Sequence, residues 1–478
     1  MATNTGTILK YIPLIFILLA AGALTGWLLV DPASSIQPAV PGMDHRPESS
    51  SVRAEQVIIC EFFELRGTAE PVPGTNWPSF RGPGRDNISK EPVKLLDSWG
   101  EKAPVILWKV DLGEGHAAPA VSEGKVYLMD YDEIRKADAL RCFSLKTGQE
   151  LWRRWYPVHL KRNHGLSRTV PAVGRNTVVT IGPRCHVMCV DRNTGNFRWG
   201  IDLEKQYGTE APFWYTGQCP LLINDTAVVA VGGKVLMIGV DCNTGTVVWE
   251  APNPDRWTMS HSSVMPMSVD GKKFYVYCAI GGICGISADG PDQGSILWKT
   301  TEFAPSVVAP SPVILDGGRF FVSAGYGYGG ALFRVKKNGS DWIVKILQNY
   351  KPSQGLASEQ QTPIYAGGNL YGIMPKDAGE LRNEFVCFHP GDLKKATMHS
   401  GKTNRFGLGP YILADGKFFI LSDDGELTIA ECSPTRFKIL DRKRIIEGQD
   451  SWGPIAITGG YLLMRDSKQL VCLDIKAK

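Results

Sequence analysis

Cysteine and histidine are the most reactive side chains in the sequence, and one segment sets them close together: Cys185-His186-Val187-Met188-Cys189. Thiolate and imidazole are zinc-type ligands. On a strand, however, positions i and i+4 lie about 13 Å apart, and His186 faces the opposite side, so this trio is a poor ion site. Cys278 and Cys284 flank Gly281-Gly282, and a three-residue loop there would bring them face to face as a cross-strand disulfide. No two of the eleven cysteines are adjacent, and no Cys-x-x-Cys-His occurs, which excludes covalent haem. The eight histidines form no His-Glu-x-x-His, and no Gly-x-Ser-x-Gly is found. Gly325-Tyr326-Gly327-Tyr328-Gly329-Gly330 is glycine-rich. It joins two strand-like runs, whereas phosphate-cradling loops open a helix, so it reads as a hairpin connection. Asp423-Asp424 precedes Gly425 in a turn-like stretch and is a weak candidate for two-carboxylate sugar chemistry.

The elements that must hold any such groups are short strands. Glycine (52) and proline (31) are abundant in a chain of 478 residues, and no low-complexity tract absorbs them. The excess therefore reads as many turns. A net charge of +4, scattered along the chain, excludes a nucleic-acid binder. Residues 11–30 carry no charge, and as a helix they would be about 30 Å long, the thickness of a bilayer core. Residues 1–10 then read as a cytoplasmic N-terminus and residues 11–30 as a transmembrane anchor. Lys10 before the run and Asp31 after it favour an exported body. The alternative is a signal peptide cleaved at Ala21-Gly22-Ala23, which would leave a secreted protein. Residues 31–75, rich in proline and with Ser49-Ser50-Ser51, read as a linker; within them, residues 57–63 form an apolar patch without an assigned position.

An internal repeat organises residues 76–478. Leu145-Lys146-Thr147-Gly148-Gln149-Glu150-Leu151-Trp152, Asp191-Arg192-Asn193-Thr194-Gly195 leading to Trp199, and Asp241-Cys242-Asn243-Thr244-Gly245 leading to Trp249 are three copies of one signature. Weaker copies end at Trp108 and Trp298, so the tryptophans are spaced 44, 47, 50 and 49 residues apart. A second marker, a proline before an apolar run and a turn, recurs at 119, 171, 220, 266, 312, 363, 410 and 454. Each of the eight units has room for four short strands. A four-stranded unit at this period is a propeller blade, and a lone blade cannot bury both faces. The expected fold is all-β: an eight-bladed propeller of four-stranded antiparallel blades, preceded by a transmembrane helix. The strand at residues 105–110 is expected to complete the last blade and close the ring, which removes two open edges. Trp108, Trp152, Trp199, Trp249 and Trp298 are expected to fill the gaps between blades, each indole N–H finding a backbone acceptor. Cys142, Cys189, Cys387 and Cys472 occupy equivalent places in four units and read as small buried fillers.

The Thr-Gly-x-x-x-Trp copies, the opening Trp77-Pro78-Ser79-Phe80-Arg81-Gly82-Pro83-Gly84-Arg85 and the tail Tyr461-Leu462-Leu463-Met464-Arg465-Asp466 resemble the pyrroloquinoline-quinone (PQQ)-like propeller repeat family. That family includes quinoprotein dehydrogenases. It also includes cofactor-free propellers such as the lipoprotein of the outer-membrane β-barrel assembly machinery. Its dehydrogenases imply a vicinal Cys-Cys disulfide, a calcium or lanthanide site and an Asp base, and this sequence has no adjacent cysteines and no dense acidic cluster. The expected role is therefore a membrane-anchored, extracytoplasmic, non-catalytic scaffold without a cofactor. Its partner would be an envelope protein, a peptide or a glycan. The alternative is a PQQ-dependent alcohol or sugar oxidoreductase using calcium. Loops leading into the innermost strands surround one mouth of the axial channel, and rigid scaffolds carry function on such loops. They hold His116, Arg168, Gln218, His261, Gln360, Gln361, Arg405 and Trp452, of which His116, Arg168 and His261 are the preferred binding residues.

Overall fold

Alternating apolar and polar residues between glycine turns set strands with one buried face, and such strands must pair and stack. The computed structural model describes residues 5–29, 57–448 and 450–477. The chain divides into two units, Met1–Gln56 and Val57–Lys478. In the first, a helix spans Thr5–Leu29. Among the described residues no helix is long and apolar enough to cross a membrane; the unbroken run of described side chains in this helix is residues 13–29.

The second unit is eight antiparallel blades. Blade 1 comprises Ala120–Ser122, Lys125–Asp132, Ala137–Ser144 and Glu150–Pro157. Blade 8 comprises Ala456–Thr458, Tyr461–Arg465 and Gln469–Asp474, and its outer strand is Val105–Asp111. Trp108 pairs with Cys472 and Val110 with Leu470, so the ring closes with a strand from the N-terminal side. Part of the segment read as linker belongs to the propeller: Phe62–Leu65 adds a fifth strand outside Glu150–Pro157. Its Phe62 stacks on Trp155 at 5.5 Å.

Each of the three Thr-Gly turns, and the Gln293-Gly294 turn at the same place in blade 4, receives the tryptophan of the preceding blade. Trp108 lies against Gly148, Trp152 against Gly195, Trp199 against Gly245 and Trp249 against Gly294. A Cβ on Gly148 would approach the Trp108 ring to 2.7 Å, and its φ is +71°. Glycine is thus required there both for the turn and for the indole. Trp298 instead stacks on Phe320 of blade 5, at 5.5 Å. Within its own blade each indole faces a small residue: Cys472 for Trp108, Cys142 for Trp152, Cys189 for Trp199, Gly239 for Trp249 and Gly285 for Trp298. Space for the ring is made there by a thiol or by no side chain at all.

Two details differ from expectation. The indole N–H donates to a backbone carbonyl at Trp108 (Leu145, 2.8 Å) and Trp199 (Cys242, 2.9 Å). It has no partner among the described residues at Trp152, Trp249 and Trp298. At Trp249 and Trp298 the N–H edge is turned toward the vacant Cβ position of the facing glycine, where no carbonyl lies. The proposed Cys278–Cys284 disulfide does not form, because the hairpin loop has two residues. Tyr277 therefore pairs with Cys284, and Cys278 with Ile283. A one-residue offset turns the two thiols to opposite faces of the sheet, and both are free.

Candidate functional site

A belt of hydrogen bonds rings the axis just inside the mouth. The backbone N–H of Val170 donates to Cys219 Sγ (3.2 Å), that of Cys219 to Ser263 Oγ, that of Ser263 to Ser311 Oγ, and that of Ser311 to Thr362 Oγ1 (2.9 Å each). These residues sit at the entrance to the innermost strands of blades 2 to 6. Each but the last donates its own N–H, and each but the first accepts its neighbour's through its side chain. A run of buried N–H groups is thereby satisfied without water.

The opening motif occupies the axis itself. Asn76–Trp77 pairs with the innermost strand of blade 1, and Ile88–Ser89 pairs in parallel with that of blade 7. Between them the chain contacts blade 2 through the Val173 N–H to the Pro78 carbonyl (2.7 Å). Arg85 reaches the Leu222 carbonyl of blade 3 (2.7 Å). Arg81 reaches the carbonyls of Thr362 and Pro363 at blade 6, and donates also to those of Arg85 and Asp86. Its guanidinium is buried with four carbonyl acceptors and no carboxylate, and burial lowers its pKa to about 10. The tail motif repeats the device: Arg465, fully buried, donates to the carbonyls of Gly113, Ala117, Asp466 and Ser467. Arg81 and Arg465 therefore serve as backbone clamps.

Above this plug lies a cup of about 450 Å³, floored by Phe80, Arg81 and Asn87. It gathers His116, Arg168, His261, Gln360, Gln361 and Trp452 from the residues expected at the mouth. It leaves out two. Gln218 turns inward, exchanging hydrogen bonds with the backbone of Ala230, and Arg405 clamps the carbonyls of Arg382 and Lys402. It also includes side chains that the loop rule missed, among them His164, Trp214, Tyr326, Glu359 and Lys376. Tyr326 and Lys376 lie on turns between the second and third strands of blades 5 and 6. Such turns end on the mouth side too, so the Gly-rich hairpin was the available signal.

Aromatic rings line two walls. His116 stacks on Trp452 (4.8 Å), and Trp214 stacks on Tyr326 (5.9 Å) across the mouth. Beside Trp214, Phe213 is 79% exposed. Arg168 ties the Trp214 loop in place, with Nε donating to the Trp214 carbonyl (2.7 Å) and Nη2 to that of His164. Burial lowers the Arg168 pKa to about 10. Burial, followed by the charge of Arg168, lowers His116 to about 3 and His261 to about 4, so both imidazoles are neutral at pH 7. Glu359 is the one carboxylate lining the cup. Burial raises its pKa; Lys376 lies 4.0 Å from Oε1, and Oε2 has no partner among the described residues.

Neutral imidazoles, amides, buried cations and aromatic faces around a blind cup can bind and orient a polar molecule. They do not form a hard-cation site, which takes several oxygen ligands. Among the described residues no group of three or more His, Cys, Asp or Glu side chains could hold a metal. The residues present therefore do not fit a calcium–PQQ pair.

The fold and cup together define an eight-bladed PQQ-like propeller, plugged at one end of its axis and open at the other. Residues 135–392, more than half of the chain, match the family model described as Outer membrane protein assembly factor BamB, and the chain belongs to that family. No curated protein matches it. BamB from Moraxella catarrhalis superposes with a TM-score of 0.51 at 13% identity, covering 78% of this chain and 100% of that one. The quinohemoprotein alcohol dehydrogenase ADHIIG from Pseudomonas putida HK5 gives 0.56 at 12%, over 84% and 81%. The computationally designed Ika8 protein gives 0.51 at 11%, over 77% and 99%. At these identities the likeness is one of fold.

Proposed function

We propose that this chain is a non-catalytic binding propeller, anchored to a membrane by its N-terminal helix, with the blades on the extracytoplasmic side. The observation that carries this reading is the cup. Its volume lies in the range of small-molecule sites, and it mixes aromatic walls with a few convergent polar groups. Among the described residues its lining holds one carboxylate, Glu359. The anchor rests on the uncharged run of residues 11–30. A protein partner is the second reading. It rests on family membership and on exposed Phe213 and Tyr326 beside the mouth (79% and 55%), since rigid exposed aromatics are interface anchors.

The cup is tested by screening full chain in detergent against metabolites, oligosaccharides and short peptides by thermal shift. Ala309, which lines the cup, is replaced in parallel by tryptophan to fill it. Ligands that stabilise the native chain but not Ala309→Trp support the reading. Identical shifts in both overturn it. A photo-crosslinking residue at position 213, with captured chains identified by mass spectrometry, tests the protein partner. Resistance to alkaline carbonate extraction tests the anchor.

A further inference from the structure

We propose that the cup takes an acidic saccharide, its carboxylate or sulfate paired with Arg168 and its ring laid against the Trp214–Tyr326 wall. This rests on the reading of the cup as a ligand site and specifies its occupant.

Charge carries the first half of the inference. Two of the cup's cations, Arg81 (buried) and Arg168 (half-buried), form no ion pair among the described residues, while the third, Lys376, stands 4.0 Å from Glu359. A buried cation without a counter-charge is costly to keep. The four N–H groups that Arg81 uses on carbonyls account for that residue structurally. Arg168 is different: Nε donates to the Trp214 carbonyl and Nη2 to those of Asn163 and His164, and among the described residues Nη1 makes no bond. A planar guanidinium with an unused edge at the wall of the cup matches an oxyanion. The single carboxylate among the described residues of the cup, Glu359, has Lys376 4.0 Å from its Oε1, and that cation offsets its repulsion of one.

Rings and neutral donors carry the second half. His116 and His261 are uncharged, and an imidazole, like the Gln360 amide, both donates and accepts hydrogen bonds. Sugar hydroxyls do the same. Trp214 and Tyr326 stack on each other within 12° of parallel, with Lys376 Nζ 5.8 Å from the Tyr326 ring centre; both line the cup, so the apolar C–H face of a pyranose meets aromatic surface beside those polar groups. A peptide would instead ask for backbone donors in a row, and the belt has already consumed the N–H groups at the strand entrances.

The test uses full chain in a sugar-free detergent and isothermal titration with digalacturonate, dimannuronate, galactobiose, mannobiose, sulfated galactobiose and trialanine. At least one acidic disaccharide is expected to bind ten- to a hundredfold tighter than its neutral counterpart, as a charge-assisted contact implies. The uronate and sulfate arms separate the two sources of the anion. Arg168→Met should abolish that preference, and Arg168→Lys, which keeps the charge, should retain most of it. Equal binding of acidic and neutral sugars, an unchanged preference in Arg168→Met, or tighter binding of trialanine overturns the inference and leaves the cup a ligand site. Binding of none of the six overturns it as well, and the cup itself is then judged by the Ala309→Trp comparison.

Discussion

Asp138 lies wholly buried where blade 1 meets blade 2. Tyr156 donates to its Oδ2 at 2.7 Å, while Oδ1 has no partner among the described residues. Burial raises its pKa from 3.8 to about 7. A carboxyl whose folded pKa is raised stabilises the fold fully below the unfolded value, and that contribution is lost as pH rises through the folded value. At about 1.4 kcal/mol per pH unit, the loss is roughly 4 kcal/mol by pH 8, of which about 3 kcal/mol falls between pH 5 and 8. His186, whose ring meets Tyr156 edge-on at 5.4 Å, is lowered by burial and titrates with the opposite sign. His116 and His261 do likewise, so the native profile alone is a sum of opposing slopes. Asp138→Asn removes one of them. Urea unfolding followed by tryptophan fluorescence, at pH 5, 6, 7 and 8, gives the difference between variant and native chain. With a slope near 3 kcal/mol/M, the native midpoint should fall by about 1 M relative to Asp138→Asn over that range. Parallel midpoints at all four values would refute the assignment of a buried, proton-retaining carboxyl.

Gly239→Ala should destabilise by about 1–3 kcal/mol, because its Cβ would overlap the Trp249 indole. Cys142→Ala, at the equivalent place in blade 1, should cost less, and thermal melts of the two variants decide the order. Arg81→Met strands four carbonyls under the cup and should cost roughly 3 kcal/mol or more. Faster proteolytic cleavage within residues 77–89 is the accompanying sign, and an unaltered melt would count against the clamp. His116 and His261 should show no protonation step between pH 5 and 8 by imidazole ¹⁵N shifts, whereas midpoints near 6.5 would contradict their burial.

The tryptophan and proline spacings made the ring and its closing strand legible, because each repeat is local and its period is set by four strands and their turns. The plug was not legible. Arg81 and Asn87 bond to residues 281 and 324 positions away, and no periodicity reports such a contact. Six mouth residues were found from the rule that loops before innermost strands face the axis. Gln218 and Arg405 obey the same rule in backbone position but spend their side chains on carbonyls and amides nearby. Cys278 and Cys284 hinged on one residue of loop length, which fixes the face of every side chain beyond it. The belt was readable after the fact: Val170, Cys219, Ser311 and Thr362 each stand immediately before a marker proline, a position at which small polar side chains had no assigned role.

The plug also orders events in time. Residues 76–89 and 105–111 leave the ribosome before every blade they bind, yet the partners that bury Arg81 and complete Trp108 lie in blades 6 and 8. Contacts of such long sequence separation form late. The chain must therefore carry its own axle and latch unseated through most of synthesis, and a copy truncated before residue 454 has nothing to latch onto. The cup floor is seated once blades 6 and 7 are made, and completion of the last blade then closes the ring around it.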